Sequence, residues 1–183
     1  MQKHLITLGL LLISLGAIAQ DDALARLHDG GHVLMLRHAI APGFGDPDGF
    51  DVEDCATQRN LSEEGRAQAR TIGKRLRAEG LIDITIYTSA WCRCKDTARE
   101  IDITKAQLHP GLNSFFEDRG RRDEIVAQLK QLLAALANGP PAVLVTHQVN
   151  IQAITGQGVG SGQGIIVKPD NTGEVKVIRS FSP

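Results

Sequence analysis

The sequence predicts a layered α/β domain whose sheet is mostly parallel, with an antiparallel pair of strands at its C-terminal edge. Three observations lead there. Val33–Leu36 and Ala142–Thr146 are short runs, apolar throughout but for the closing Thr146, as strands buried on both faces require. The stretches between such runs carry apolar residues at helical spacing. The last part of the chain holds two strand-like runs around an Asp170-Asn171-Thr172-Gly173 turn, which reads as a hairpin. Strands alternating with helices are the pattern of crossover units, and a closing hairpin adds the antiparallel edge.

Taken in order, the chain begins with Lys3 as a positive start, an apolar run from Leu5 to Ile18, and Ala17-Ile18-Ala19 before Gln20. That is the pattern of a cleaved secretory signal over residues 1–19, with residues 20–183 as a single domain. Gly9, Ser14 and Gly16 interrupt the apolar run, and it is short for a bilayer span, so no stable membrane anchor is expected after cleavage. The expected location is periplasmic or secreted. Val33–Leu36 follows as the first strand, and residues 41–58, rich in Gly, Pro and Asp, form a long loop of the kind that covers a site. Ser62 caps a helix with Glu63 and Glu64 in its first turn, Gly65, Ala69, Ile72 and Leu76 on one face, and Gly80 as its stop. Ile84–Thr88 is the second strand, and Ser89 opens a helix through Thr97 and Ala98. A short strand with a Pro110-Gly111 turn follows. Ile125, Leu129, Leu132, Leu133 and Leu136 then trace a helical stripe ended by Asn138-Gly139-Pro140-Pro141. Ala142–Thr146 is a second buried strand, with a short helix near Asn150–Thr155 and the hairpin strands Gly164–Lys168 and Glu174–Arg179 beyond it.

Composition narrows the function. The formal net charge is −1, and removal of residues 1–19 with Lys3 takes it to −2. A mildly acidic chain without a basic run offers no footprint for nucleic acid or for an anionic membrane, so the expected partner is a small molecule or a group on a surface. Three cysteines, Cys55, Cys92 and Cys94, are present. In an oxidising compartment one disulfide and one free thiol are expected, with Cys55 paired to Cys92 or Cys94, since the latter two stand too close to pair together.

Both buried strands end in polar groups that chemistry can use. Arg37-His38 follows the first and His147 the second, while Arg93 sits in the junction after the strand between them. Open α/β sheets bind ligands beyond the carboxyl ends of their strands. If the junctions converge, two guanidiniums and two imidazoles surround a phosphoryl-sized space, and a neutral imidazole can attack phosphorus there.

At this point the sequence resembles the histidine phosphatase superfamily, the phosphoglycerate mutase-like fold. Leu36-Arg37-His38-Ala39 matches its nucleophile motif and Leu61-Ser62-Glu63-Glu64-Gly65-Arg66-Ala67-Gln68-Ala69 its L-[ST]-x-x-G-x-x-Q-A helix start. Thr88–Ala98 matches S-[SP]-x-x-R-x-x-x-T-A, and Val143–His147 with Gly156 matches the second-histidine strand and helix. The resemblance implies a three-layer α/β/α fold of the small exported type and phosphoric monoester hydrolysis of the histidine acid phosphatase kind, with neither cofactor nor metal. It implies His38 as the nucleophile that carries a phosphohistidine, Arg37 and Arg93 as phosphate clamps, and His147 as a further phosphate contact. Gln148 stands where one branch of the family has its general acid. Other branches draw that acid from the region before the third helix, which points to Glu117 or Asp118. Arg59, just before the capped helix, is a candidate substrate contact, with a surface cation as the alternative.

The nearest rivals are a phosphomutase of the same fold and a non-catalytic binder of phosphate or a phospho-glycan. The expected substrate is a small phosphorylated molecule or a phosphorylated envelope glycan. The glycine-rich stretch 156–164 precedes a strand instead of following one and lacks a nearby lysine, so it reads as a loop and not as a nucleotide cradle.

Overall fold

The computed structural model describes residues 23–183. The proposed signal segment and its cleavage site lie outside the described residues. A 3-10 turn, Ala23–Asp29, leads into β1 (Val33–Arg37), and a long loop runs to α1 (Glu63–Ala78). Then come β2 (Thr85–Thr88), α2 (Cys92–Ile101), the two-residue β3 (Gln107–Leu108), α3 (Arg122–Leu136), β4 (Ala142–Thr146), α4 (Gln148–Thr155), β5 (Gly164–Pro169) and β6 (Val175–Phe181).

The sheet order is β3-β2-β4-β1-β5-β6. β3, β2, β4 and β1 run parallel, and β5 and β6 complete the sheet antiparallel. Side chains alternate across a strand, and here the alternation divides the core in two. Leu34 and Leu36 of β1 with Val143 and Val145 of β4 meet Ile72, Leu76, Ala98 and Ile101 of α1 and α2. Val33 and Met35 with Ala142 and Leu144 meet Leu129, Leu133 and Ile151 of α3 and α4. The result is helices on both faces of one sheet, the three-layer α/β/α arrangement.

Several boundaries shift from the sequence reading, each for a local reason. Ser89 does not open α2; Trp91 is the residue before its first turn, and the Ser89 hydroxyl turns inward to His147 Nε2. Pro110–Leu112 forms a 3-10 turn capped by the His109 side chain. α4 starts directly after His147, two residues earlier than expected. The Ser62 cap holds as expected, its hydroxyl accepting from the Gly65 amide.

Cys55 and Cys92 are joined in a disulfide across 37 residues of sequence, and Cys94 is a buried free thiol. Such a closure stabilises a fold by about 3–4 kcal/mol in the chain-entropy model. Its position has a second consequence: it fastens the loop before α1 to the first turn of α2, one residue from Arg93.

Candidate active site

β1 and β4 are neighbours in register, with Arg37 opposite Thr146. The next residues, His38 and His147, therefore leave the sheet side by side. The His38 amide donates to the Thr146 carbonyl at 3.0 Å, and the two imidazole centroids lie 5.6 Å apart. Parallel pairing of two equal-length strands thus brings together two residues 109 positions apart. β2 flanks β4 on its other side, and α2 starts beyond its tip, which sets Arg93 against the same space.

The motif letters that carry no chemistry have structural work. The Thr97 hydroxyl accepts from the Ala39 amide at 2.9 Å, and the Gln68 side-chain oxygen accepts from the Ile40 amide at 3.1 Å. Both hold the segment that leaves His38. Gly65 admits the carbonyl of Ile40 against α1: a Cβ there would stand 2.0 Å from that oxygen, far inside contact distance. The loop after α4 steadies Arg37, whose amide donates to the Gln163 carbonyl and whose Nη1 donates to the Val159 carbonyl.

His38 is almost wholly buried. Its Nδ1 lies 2.8 Å from the Ala39 carbonyl oxygen, an atom that can only accept, so Nδ1 carries the proton and Nε2 keeps its lone pair. Burial, reinforced by the positive charge of Arg93, lowers its pKa to about 3. His147 is depressed in the same direction for the same two reasons. Its Nε2 lies 2.9 Å from the Ser89 hydroxyl and 3.5 Å from the Cys94 thiol. The Asn113 side-chain oxygen stands behind Ser89 and accepts the Ala90 amide.

A cavity of about 250 Å³ opens over these groups, lined by Arg37, His38, Arg59, Arg93, His147 and Glu117 among others. Six of the seven residues picked out from sequence therefore share one pocket. Asp118 is the exception. Its carboxylate caps the 3-10 turn Arg119–Arg121 by accepting from the Gly120 amide, and it does not line the cavity. Glu117 is exposed at the rim of the cavity, accepting from the Asp46 amide at 3.2 Å and from the Ser114 hydroxyl at 3.4 Å. Arg59 is not a free surface cation: its guanidinium donates to the Gly45 and Ala41 carbonyls.

One member of the site escaped the sequence reading. Asp46, with a fully buried side chain, accepts Arg93 Nη1 at 2.7 Å, the Arg59 amide at 3.0 Å and the Trp91 indole at 2.9 Å. Burial works against its charge, but the Arg93 hydrogen bond and the Arg59 amide prevail and hold its carboxyl below the usual range. It sits among several aspartates in an aperiodic loop, so no spacing distinguishes it. The Nε–H groups of Arg37 and Arg93 are both buried without a protein acceptor. Two orphaned cationic donors beside a neutral imidazole give the cavity floor the charge and the free N–H groups that an anion would need. Among the described residues no group of three or more His, Cys, Asp or Glu side chains is placed to hold a metal.

Comparison with known proteins gives the fold its place. A protein histidine phosphatase SixA complexed with tungstate superposes with a TM-score of 0.61 at 17% identity, over 82% of this chain and 96% of that one. A putative phosphohistidine phosphatase SixA from Agrobacterium tumefaciens gives 0.54 at 19% identity, over 84% and 98%. A mycobacterial glucosyl-3-phosphoglycerate phosphatase gives 0.56 at 17%, over 82% and 96%. No curated protein matches the chain in sequence. The family pattern of the histidine phosphatase superfamily (branch 1) matches residues 53–141, a span that contains Arg59, Arg93 and Glu117 and stops short of both site histidines. The fold is that of the histidine phosphatases, and over residues 53–141 so is the sequence pattern.

Proposed function

We propose that this protein is a phosphomonoesterase that works through a phosphohistidine on His38, and that it does so without a metal. The observation that carries the reading is the state of His38: a buried, neutral imidazole whose Nδ1 is tied to the Ala39 carbonyl, leaving Nε2 as the nucleophile among arginines. An imidazolium could not attack, so the depressed pKa keeps the residue competent well into acid.

In the first step the Nε2 lone pair of His38 attacks phosphorus and the P–O bond of the ester breaks. The leaving oxygen takes a proton from the Glu117 carboxyl group. The orphaned Nε–H groups of Arg37 and Arg93 receive the phosphoryl oxygens. If the Ser89 hydroxyl donates to His147 Nε2, Nδ1 is the protonated nitrogen that His147 offers the same oxygens. In the second step water attacks the phosphohistidine, Glu117 takes the water's proton, the N–P bond breaks, and phosphate leaves with His38 neutral again. Arg59 shapes the entrance through the Ala41 and Gly45 carbonyls it holds.

The proposal extends to the whole chain: residues 1–19 as an export signal and 20–183 as one domain acting on a small phosphorylated substrate outside the cytoplasm. The Cys55–Cys92 disulfide is compatible with an oxidising compartment, and no described helix is long and apolar enough to cross a membrane. Rapid acid or base quench of the protein with a ³²P-labelled phosphomonoester tests the chemistry. The wild type is expected to trap an acid-labile, base-stable adduct. His38→Ala is expected to trap none and to lose turnover by about 10⁴-fold or more, as when a nucleophile is removed. Wild-type protein that forms no adduct, or His38→Ala protein that still turns over, overturns the assignment.

A further inference from the structure

The floor of the cavity is charged, but one wall is aromatic. Among the described residues, Phe44, Ile82 and Leu108 are the large apolar side chains left exposed, and Phe44, at 87%, is the most exposed of them. It is also the one that lines the His38 cavity. A single exposed apolar side chain is ordinarily unremarkable. What separates Phe44 is the way it is held.

The backbone on either side is fixed. Gly43 and Gly45 take φ values of 97° and 67°, a left-handed turn that lifts the residue between them. The Ala41 and Gly45 carbonyls accept from Arg59, and Asp46 is locked to Arg93 and Trp91. The ring meets that of Phe116 edge to face, with centroids 4.9 Å apart, and the Arg119 guanidinium lies 5.0 Å from the centre of the Phe116 ring. One surface of Phe116 is thereby engaged by Arg119, while most of Phe44 stays open beside the cavity.

We infer that Phe44, backed by Phe116, is a specificity-determining platform that selects phosphomonoesters whose alcohol carries a flat, apolar ring face, against linear alkyl esters. The inference rests on the phosphate-binding reading of the same cavity: phosphate on the arginine floor, ring along the Phe44 wall. Stacking of this kind is worth a few-fold to about tenfold in affinity.

Binding of benzylphosphonate and of propylphosphonate to the intact protein, measured by calorimetry, isolates the ring from the chemistry. The wild type is expected to bind the benzyl compound about three- to tenfold more tightly, Phe44→Ala to lose that preference with propylphosphonate binding unchanged, and Phe44→Trp to keep it. Because Phe44 is exposed, its removal leaves the core intact. Equal wild-type affinities, or a Phe44→Ala loss shared equally by both compounds, overturn the inference. Turnover of benzyl phosphate and glycerol 3-phosphate, both primary alkyl esters, distinguishes the two readings. A ring preference in binding without turnover sinks the hydrolase and leaves the platform standing. Turnover without a ring preference sinks the platform alone.

Discussion

Two regions meet at this site and are built on different physics. The tips of β1 and β4 are fixed by the sheet. Their strands are buried on both faces, paired in register, and deliver His38 and His147 as the next residue after each. The loop from Ala41 to Asn60 has no regular pairing and hardly any core of its own. It is fixed by polar anchors: Asp46 on Arg93, Arg59 on two carbonyls, Gln58 on the Val52 carbonyl and the Cys92 amide, and the Cys55–Cys92 disulfide. The sheet positions the two imidazoles with apolar burial, which tolerates changes in solvent. The loop builds the rest of the pocket from ionic and hydrogen-bonded ties, each of which a single substitution can cut.

The largest expected difference between neighbours in such loops lies between Glu117 and Asp118. Glu117 lines the cavity and Asp118 caps a turn outside it. Glu117→Gln is expected to lower kcat by about 10²–10⁴-fold, the usual worth of a general acid, while Asp118→Asn changes it by less than about tenfold. Steady-state turnover of one phosphomonoester by both variants checks this. Equal effects would mean that the place of Glu117 at the cavity rim is structural.

Next in size is the anchor on the loop itself. Asp46→Ala leaves the Arg93 guanidinium buried without its counter-ion, and breaking a buried pair from one side costs about 3–5 kcal/mol. Urea unfolding is expected to show that loss, and millimolar tungstate to recover part of it by supplying an anion where the carboxylate was. An Asp46→Ala protein as stable as wild type would show that the loop does not depend on this tie.

The contrast also explains what could be read from the letters. β1 and β4 announce themselves because full burial requires consecutive apolar residues, while their adjacency and register are set by the sheet as a whole. His38, His147, Arg93 and the Gly65, Gln68 and Thr97 supports stand at fixed offsets from regular elements, so their spacing carries information. The disulfide was legible as a choice of partners for Cys55, and the turn of α2 decided for Cys92, since it sets the Cys94 thiol against the Thr146 carbonyl and His147 instead. Asp46 was not legible, because a loop that folds by long-range polar contacts leaves no periodic trace, and Asp46 resembles Asp48, Asp51 and Asp54 around it. Phe44 was hidden for the same reason. Ser89 was misjudged because a serine after a strand is ordinarily a helix cap, and here the tip of β4 offers its hydroxyl an imidazole instead.

The smallest effect per residue is the response of the strand tips to acid. An unfolded imidazole titrates near 6.5, whereas burial and Arg93 hold His38 at about 3 and push His147 the same way. As pH falls below about 6.5 the unfolded chain takes up protons that the folded chain refuses, so the contribution of each histidine is complete above that pH and is lost on the way down. The slope is about 1.4 kcal/mol per pH unit for each histidine. Asp46 adds a loss in the same direction only at lower pH, since its depressed carboxyl keeps its contribution above the unfolded carboxylate value, near 3.9, and gives it up as pH falls through its folded value. Urea unfolding between pH 7.5 and 5 therefore reads the histidines and spares the loop. His109 is lowered by burial as well and adds a share of its own, so the wild type is expected to lose stability below 6.5 with a slope of two protons or more, and His38→Ala with close to one proton less. If the two slopes coincide, His38 is not held neutral by its surroundings, and the strand tips owe their chemistry to something other than burial.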